Sequence, residues 1–249
     1  MGVKLVAFDL DGTLAPSKGP ISSEMADALK SLLDVTQVCI ISGGTKDQIF
    51  SQVVSNLPAG SKLKNLHIMP TSGAQYIKRV LGKWKTIYSE DFTEEQVSKI
   101  IDNLQVAAEL LGLWPENPHG PVIENRGSQV TFSALGQNAP RDLKEAWDPA
   151  GEKKEKLRRA VSSLLVEFDV RSGGSTSVDI TRTGIDKAFG IYELRKRTHL
   201  DIEEILFIGD RLDVGGNDYP VIALGVDHQQ VSGPEHTLSL INDLLKASL

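Results

Sequence analysis

The chain has 249 residues, 40% hydrophobic and 24% charged, enough apolar material for one or two packed domains and no compositional mark of disorder. With 27 Lys and Arg against 33 Asp and Glu the formal charge is −6, which excludes a basic footprint for nucleic acid, so an anionic ligand must be held by local positive groups or by a metal. The single cysteine, Cys39, excludes an internal disulfide, and no Cys/His cluster has the spacing of structural zinc.

In chain order, short apolar runs alternate with helical periodicity: Val3–Phe8, Ser23–Leu33, Thr36–Ile41 and Lys46–Val54 read as strand, helix, strand, helix. The same grammar returns late, with a helix at Ile185–Thr198, strands at Ile205–Ile208 and Val221–Leu224, and a final helix near Glu235–Lys246. Between them Thr93–Leu111 reads as an amphipathic helix and Val122–Ser133 as two strands hinged at Arg126-Gly127-Ser128. A charged helix over Glu152–Phe168 and an alternating strand over Ser175–Thr181 complete this stretch, with a long loop at 134–150. The expected fold class is α/β, a Rossmann-like doubly wound parallel-sheet core (residues 1–87 and 184–249) with an inserted α+β cap domain (residues 88–183). Gly82 and Gly184 stand near the expected crossings and are candidate hinges. The start of the chain reaches Asp9 too soon for a signal peptide and no apolar run approaches ~20 residues, so a cytoplasmic location with no membrane partner is expected.

Candidate chemistry sits where the apolar runs end. Asp9-Leu10-Asp11-Gly12-Thr13 follows Val3–Phe8, at the carboxyl end of a strand, where open α/β sheets place ligands. An Asp-Gly turn would account for one acid. Two carboxylates at i and i+2, aimed to one side by strand alternation, repel each other unless a cation lies between them, and Mg2+ suits oxygen ligands. A second acidic strand end follows at Phe207-Ile208-Gly209-Asp210, with Gly215-Gly216-Asn217-Asp218 beyond it. Ser42-Gly43-Gly44 ends a third strand and Asp186-Lys187 opens a helix, supplying a hydroxyl, free N–H groups and an ammonium suited to phosphate. Singly, Ser42 reads as a helix cap and Lys187 as a solvated charge; together with the acids they read as one site.

These four elements resemble the motifs of the haloacid dehalogenase superfamily of phosphotransferases, matched by Asp9, Asp11, Gly12, Thr13, Ser42, Lys187, Asp210, Asn217 and Asp218. The insertion between Ser42 and Lys187 resembles members with a large α/β cap. Within that superfamily the chain is most similar to the eukaryotic-type phosphomannomutases, through Phe8–Pro16, Ile123-Glu124-Asn125-Arg126, Gly173–Asp179, Asp186-Lys187 and Gly215–Asp218. The resemblance implies that Asp9 is the nucleophile and Asp11 the general acid and base. It also implies that Mg2+ is held by Asp9, the Asp11 carbonyl and Asp210, with Asn217 and Asp218 behind, and that Ser42 and Lys187 neutralise the phosphoryl group. Thr13, Gly43 and Gly44 would line the phosphate, and Arg126, Ser177 and Asp179 would contact the rest of a small phosphorylated sugar. Two family arginines are replaced, by Lys18 and by Gln137, with Arg141 a few residues on as a substitute for the second.

A mutase has to re-bind a bisphosphorylated intermediate in flipped orientation, for which bidentate arginine is well suited, and Gln137 carries no charge. The expectation is therefore a Mg2+-dependent phosphatase of small phosphorylated sugars or polyols acting through an aspartyl phosphate. The alternatives are a phosphomannomutase-like hexose-phosphate mutase using the same site and a non-catalytic sugar-phosphate-binding protein.

Overall fold

The structure, a computed structural model, describes residues 2–247. Contacts divide the chain after Ser89 and before Asp186: the first and last segments form one unit, and Glu90–Ile185 forms the other.

In the first unit β1 (Leu5–Phe8), α1 (Ser23–Val35), β2 (Gln37–Ile41), α2 (Lys46–Gln52), β3 (Leu66–Met69), β4 (Gln75–Val80) and β5 (Lys83–Ser89) come before the insertion. The second unit holds α3 (Glu94–Leu110), β6 (Ile123–Asn125), β7 (Gln129–Ser133), α4 (Arg141–Trp147), α5 (Glu152–Leu164), β8 (Phe168–Ser172) and β9 (Ser177–Arg182). The first unit resumes with α6 (Lys187–Thr198), β10 (Ile205–Gly209), α7 (Tyr219–Ile222), β11 (Asp227–Gln230) and α8 (Pro234–Ala247).

The first unit's sheet runs β11-β10-β1-β2-β3-β4-β5, parallel from β11 to β3 and antiparallel through β4 and β5. Strand alternation sends Val6 and Phe8 to one face, with Met25, Leu29 and Leu33 of α1 and Ile241 of α8. It sends Leu5 and Ala7 to the other, with Ile191 and Leu194 of α6. Helices thus cover both faces, which is why β1 and β10 read as unbroken apolar runs. Each fully buried large apolar side chain contributes roughly 1.5–3 kcal/mol. The chain builds outward from β1 to β2 and β3, then returns to β10 on the other side, so the strand order reverses at β1 and opens a crevice at the carboxyl ends.

The second unit's sheet runs β6-β7-β9-β8, antiparallel throughout. Val130, Phe132, Val178 and Ile180 face Ile100 and Leu104 of α3 and Leu157 and Val161 of α5. The alternate residues Gln129, Thr131, Ser133, Ser177 and Asp179 form a polar face. The fold is a Rossmann-like core with an inserted α+β cap, as expected from the sequence.

Four local expectations are corrected. Val221–Leu224 is not a strand: Pro220 at the start of α7 and Gly225 after it make a single helical turn, and the edge strand is the polar, exposed β11. The stretch 134–150 is not all loop, because Arg141–Trp147 is helical. Gly82, with φ +79, turns the β4–β5 hairpin inside the first unit and is not at a crossing. β1 ends at Phe8 and the ladder at Asp9, so Asp9 and Asp11 do not share one side by alternation: the chain turns from Leu10, whose carbonyl takes the Thr13 and Leu14 N–H groups, with Gly12 at φ +87.

Candidate active site

The crevice gathers residues from three strand ends and one helix start. Asp9 prolongs β1 by one step, its N–H donating to Ile208 O at 3.0 Å, and its carboxylate is almost wholly buried. Lys187 opens α6, whose N-terminus is capped by Asp186 accepting from Phe189 N at 3.0 Å. The Lys187 side chain is fully buried and its Nζ donates to both Asp9 Oδ1 and Asp218 Oδ1. Asp218 is fixed from the other side by the Arg211 N–H, 3.0 Å from its Oδ2. Asp210 ends β10. A Cβ on Gly12 would lie 2.6 Å from Asp210 Oδ2, so only glycine lets the loop after β1 pass this carboxylate. Thr13 is buried, with Oγ1 at a long 3.5 Å from Asp210 Oδ1.

Burial pushes the Asp9 carboxyl up to about 7, with Lys187 opposing the rise and Asp218 and Asp210 adding to it. Asp210 is raised by burial and then by Asp218. Burial would lower the Lys187 ammonium, but Asp218 and Asp9 outweigh it and hold it charged. Asp9, Asp210 and Asp218 each offer a carboxylate oxygen within 4.8 Å of the others. Three carboxylates against one ammonium leave a surplus of negative charge, and an all-oxygen donor set is what a hard divalent cation takes. The residues present therefore fit Mg2+.

Ser42 ends β2, buried, its N–H donating to Met69 O at 3.1 Å and its Oγ accepting from Gly44 N at 3.0 Å. The Asp11 side chain lies outside this trio. Its carboxylate accepts from Lys18 N at 2.7 Å, Gln48 Nε2 at 3.0 Å and Gln52 Nε2 at 3.1 Å. Lys18 has φ +59 and meets Asp11 through its backbone N–H. The acidic trio thus contains Asp218, expected behind the metal, and not the Asp11 side chain. Gly43 is half-buried and Asn217 exposed.

In the second unit Arg126 follows β6 and pairs with Glu124 at 2.6 Å. Asp179 accepts from Thr131 Oγ1 at 2.7 Å, and burial raises its carboxyl while Arg126 opposes the rise. The Ser177 and Ser133 hydroxyls are 3.3 Å apart. Gln137 has its backbone N–H on Pro121 O at 2.9 Å and its carbonyl on Lys144 Nζ at 2.8 Å. Arg141 is exposed on α4 and pairs with Glu145 at 2.7 Å.

Sequence reasoning missed Gln48, Gln52 and Ser72. The glutamines stand one turn apart on α2, a spacing that could have shown them facing one neighbour. Ser72 lies in the turn after β3, a strand not anticipated; its N–H donates to Ser42 O at 2.8 Å and its φ is +57.

An acidic trio and a buried lysine stand at the switch point of a doubly wound sheet, with a serine loop at the end of the neighbouring strand. Residues 6–223 match the haloacid dehalogenase-like hydrolases, and the chain belongs to that family. It is similar to a phosphomannomutase of Spinacia oleracea, 27% identical over 255 residues covering 96% of this chain and 95% of that protein. Phosphomannomutase 1 of Homo sapiens is 27% identical over 252 residues, covering 96% of this chain and 91% of its own. Among solved structures, a haloacid dehalogenase-like hydrolase from Bacteroides thetaiotaomicron superimposes with a TM-score of 0.68 at 17% identity, covering 97% of this chain and 99% of that one. The Plasmodium falciparum IMP-nucleotidase gives 0.72 at 17%, covering 100% of this chain and 70% of that one, a likeness of fold. No helix among the described residues is long and apolar enough to cross a membrane.

Proposed function

We propose that this haloacid dehalogenase superfamily enzyme is a hexose-phosphate mutase of the phosphomannomutase type, working through a phosphoryl group carried on Asp9. The observation that carries the chemistry is the buried Lys187 ammonium held against Asp9 and Asp218, with Asp210 in the same acidic trio. The preference for a mutase over the phosphatase expected from sequence rests on the end-to-end similarity to phosphomannomutases.

Asp9 attacks phosphorus in line, forming an aspartyl phosphate as the P–O bond to the sugar breaks; Asp11 gives the leaving oxygen its proton. In the second half the acceptor hydroxyl loses its proton to Asp11 and attacks phosphorus, and the Asp9–phosphoryl bond breaks. Lys187 and the Ser42 loop offset charge on the transferring oxygens, and Lys187 holds the Asp9 carboxylate in place before attack. Asp9, Asp210 and the Asp11 carbonyl are the groups that would hold Mg2+, with Asp218 beside them; when bound it withdraws charge from the phosphoryl oxygens. Thr13, Gly43 and Gly44 are assigned to the phosphate end. Arg126, Ser177 and Asp179, on the polar side of the second unit's sheet, are assigned to the sugar phosphate. The second unit is read as the specificity domain, and a cytoplasmic location goes with this reading.

The hydrolase reading keeps one specific support: Gln137 brings no charge and the neighbouring Arg141 is engaged with Glu145. A binding protein without turnover is disfavoured, since it has no use for both a nucleophile and an acid. The deciding experiment incubates the protein with Mg2+ and hexose monophosphates, with and without a hexose bisphosphate. The mutase reading expects isomerised sugar to exceed released phosphate once bisphosphate is present. Phosphate release as the main outcome in both conditions would return the assignment to a phosphatase, and neither product would leave a binding protein.

A further inference from the structure

We propose that Gln48 and Gln52 are positioning residues for Asp11, a two-amide clamp on α2 that fixes the rotamer of the acid–base carboxylate. The inference rests on the phosphoryl-transfer reading above and adds two residues to it. The clamp reaches both carboxylate oxygens: Gln52 Nε2 and the Lys18 N–H donate to Oδ1, and Gln48 Nε2 donates to Oδ2. Oδ1 takes two donors and Oδ2 one, so the side chain has one orientation that satisfies all three and keeps one lone pair of Oδ2 for the transferred proton.

The surroundings are shaped for this contact. A Cβ on Gly44 would lie 2.5 Å from Gln48 Oε1, so glycine at the serine loop leaves the space in which the Gln48 amide lies. Gln52 is 3% exposed, and its second amide hydrogen goes to Gly19 O at 2.6 Å. Its backbone carbonyl takes the Ile21 N–H at 3.0 Å, which ties the loop after β1 to the end of α2. That loop presents the Lys18 N–H through a left-handed residue, a conformation unfavourable for lysine and here compensated by the bond to Asp11. Gln52 Oε1 is buried with no hydrogen-bond partner, so the side chain keeps this place for what its Nε2 does. Neither amide bonds to Asp9, Lys187 or the acidic trio among the contacts described, so the clamp acts on proton transfer and not on the nucleophile.

The test separates these two steps by leaving group. Proton delivery matters for an alkyl phosphate, whose alkoxide is a poor leaving group, and not for dinitrophenyl phosphate, whose phenolate departs unprotonated. Gln48→Leu and the isosteric Gln48→Glu are measured in the full-length protein for the rate of phosphoenzyme formation from both substrates. Both variants are expected to slow the alkyl substrate roughly ten- to a hundredfold, the scale of a misplaced catalytic group, with KM little changed. They should slow dinitrophenyl phosphate by roughly tenfold less than that. In an Asp11→Asn background Gln48→Leu should add nothing further. Equal slowing of the two substrates, a further loss on top of Asp11→Asn, or a Gln48→Glu protein that behaves as wild type would each overturn the clamp. A wild type that forms no phosphoenzyme from either substrate would instead remove the phosphoryl-transfer reading and the clamp with it.

Discussion

Gly73 and Gly190 meet with no room for a side chain on either: a Cβ on Gly73 would lie 2.5 Å from the Gly190 Cα, and one on Gly190 would lie 2.9 Å from the Gly73 Cα. Gly73 closes the turn after β3, and Gly190 lies in the first turn of α6, whose opening residue is Lys187. Their contact seats α6 on the sheet at the depth that lets Lys187 reach Asp9.

The two glycines should therefore differ in sensitivity. Gly73→Ala adds a left-handed strain at φ +87 to the clash, whereas Gly190→Ala gains helix propensity, worth ~1 kcal/mol, against its clash. Overpacking costs about 1–3 kcal/mol, so both should lower the urea midpoint, Gly73→Ala more, and both should lower turnover by displacing Lys187. Unchanged turnover in a destabilised Gly73→Ala protein would show that this contact does not set the lysine.

His67 gives a prediction away from the chemistry. It is fully buried, with Nδ1 2.7 Å from the Tyr76 hydroxyl and Nε2 2.9 Å from Gln37 Oε1, partners that suit a neutral ring donating from Nε2. Burial, aided by Lys78, pulls it from 6.5 down to about 3. The unfolded chain therefore takes up a proton that the folded protein refuses, and stability falls as pH drops from 6.5 towards 3, by up to ~1.4 kcal/mol per pH unit. Urea unfolding across that range should show a shallower loss in His67→Gln than in wild type. Parallel curves would contradict the assignment.

The second phosphate cradle can be probed at Gln137. A charge-assisted hydrogen bond contributes roughly 1.5–3 kcal/mol, so Gln137→Arg should tighten hexose bisphosphate binding about ten- to a hundredfold by calorimetry. Arg141→Ala should change it little, because the guanidinium is exposed and held by Glu145. A sharp loss in Arg141→Ala would mean that this arginine leaves Glu145 to hold the second phosphate.

What the sequence disclosed follows from burial. Leu5–Phe8, Gln37–Ile41 and Ile205–Gly209 are buried along nearly their whole length, so their apolar runs announce both the sheet and the places where Asp9, Ser42 and Asp210 emerge from it. Lys83–Ser89 and Asp227–Gln230 are edge strands carrying lysines, glutamines and exposed positions, and their pattern carries no such signal. With β11 hidden, the nearest apolar run, Val221–Leu224, took its place in the expectation. Asp11 was visible as an acid but its orientation was not, since that depends on a turn at Gly12 and on two amides brought from α2. Glutamine has no reactivity of its own to draw attention, and only the folded position of α2 shows what Gln48 and Gln52 face.

The claim on which the rest depends is that Asp9 receives the phosphoryl group. The direct measurement is to mix the protein with Mg2+ and a hexose phosphate, quench in acid, and locate the phosphoryl group by peptide mass spectrometry, with Asp9→Asn as the control. Expected is one phosphoryl group on Asp9 in the wild type that survives a brief cold acid quench and is released by hydroxylamine, with no label and no turnover in an Asp9→Asn protein whose circular dichroism is unchanged. A phosphoryl group on another residue, or ordinary turnover by that folded variant, would contradict the claim.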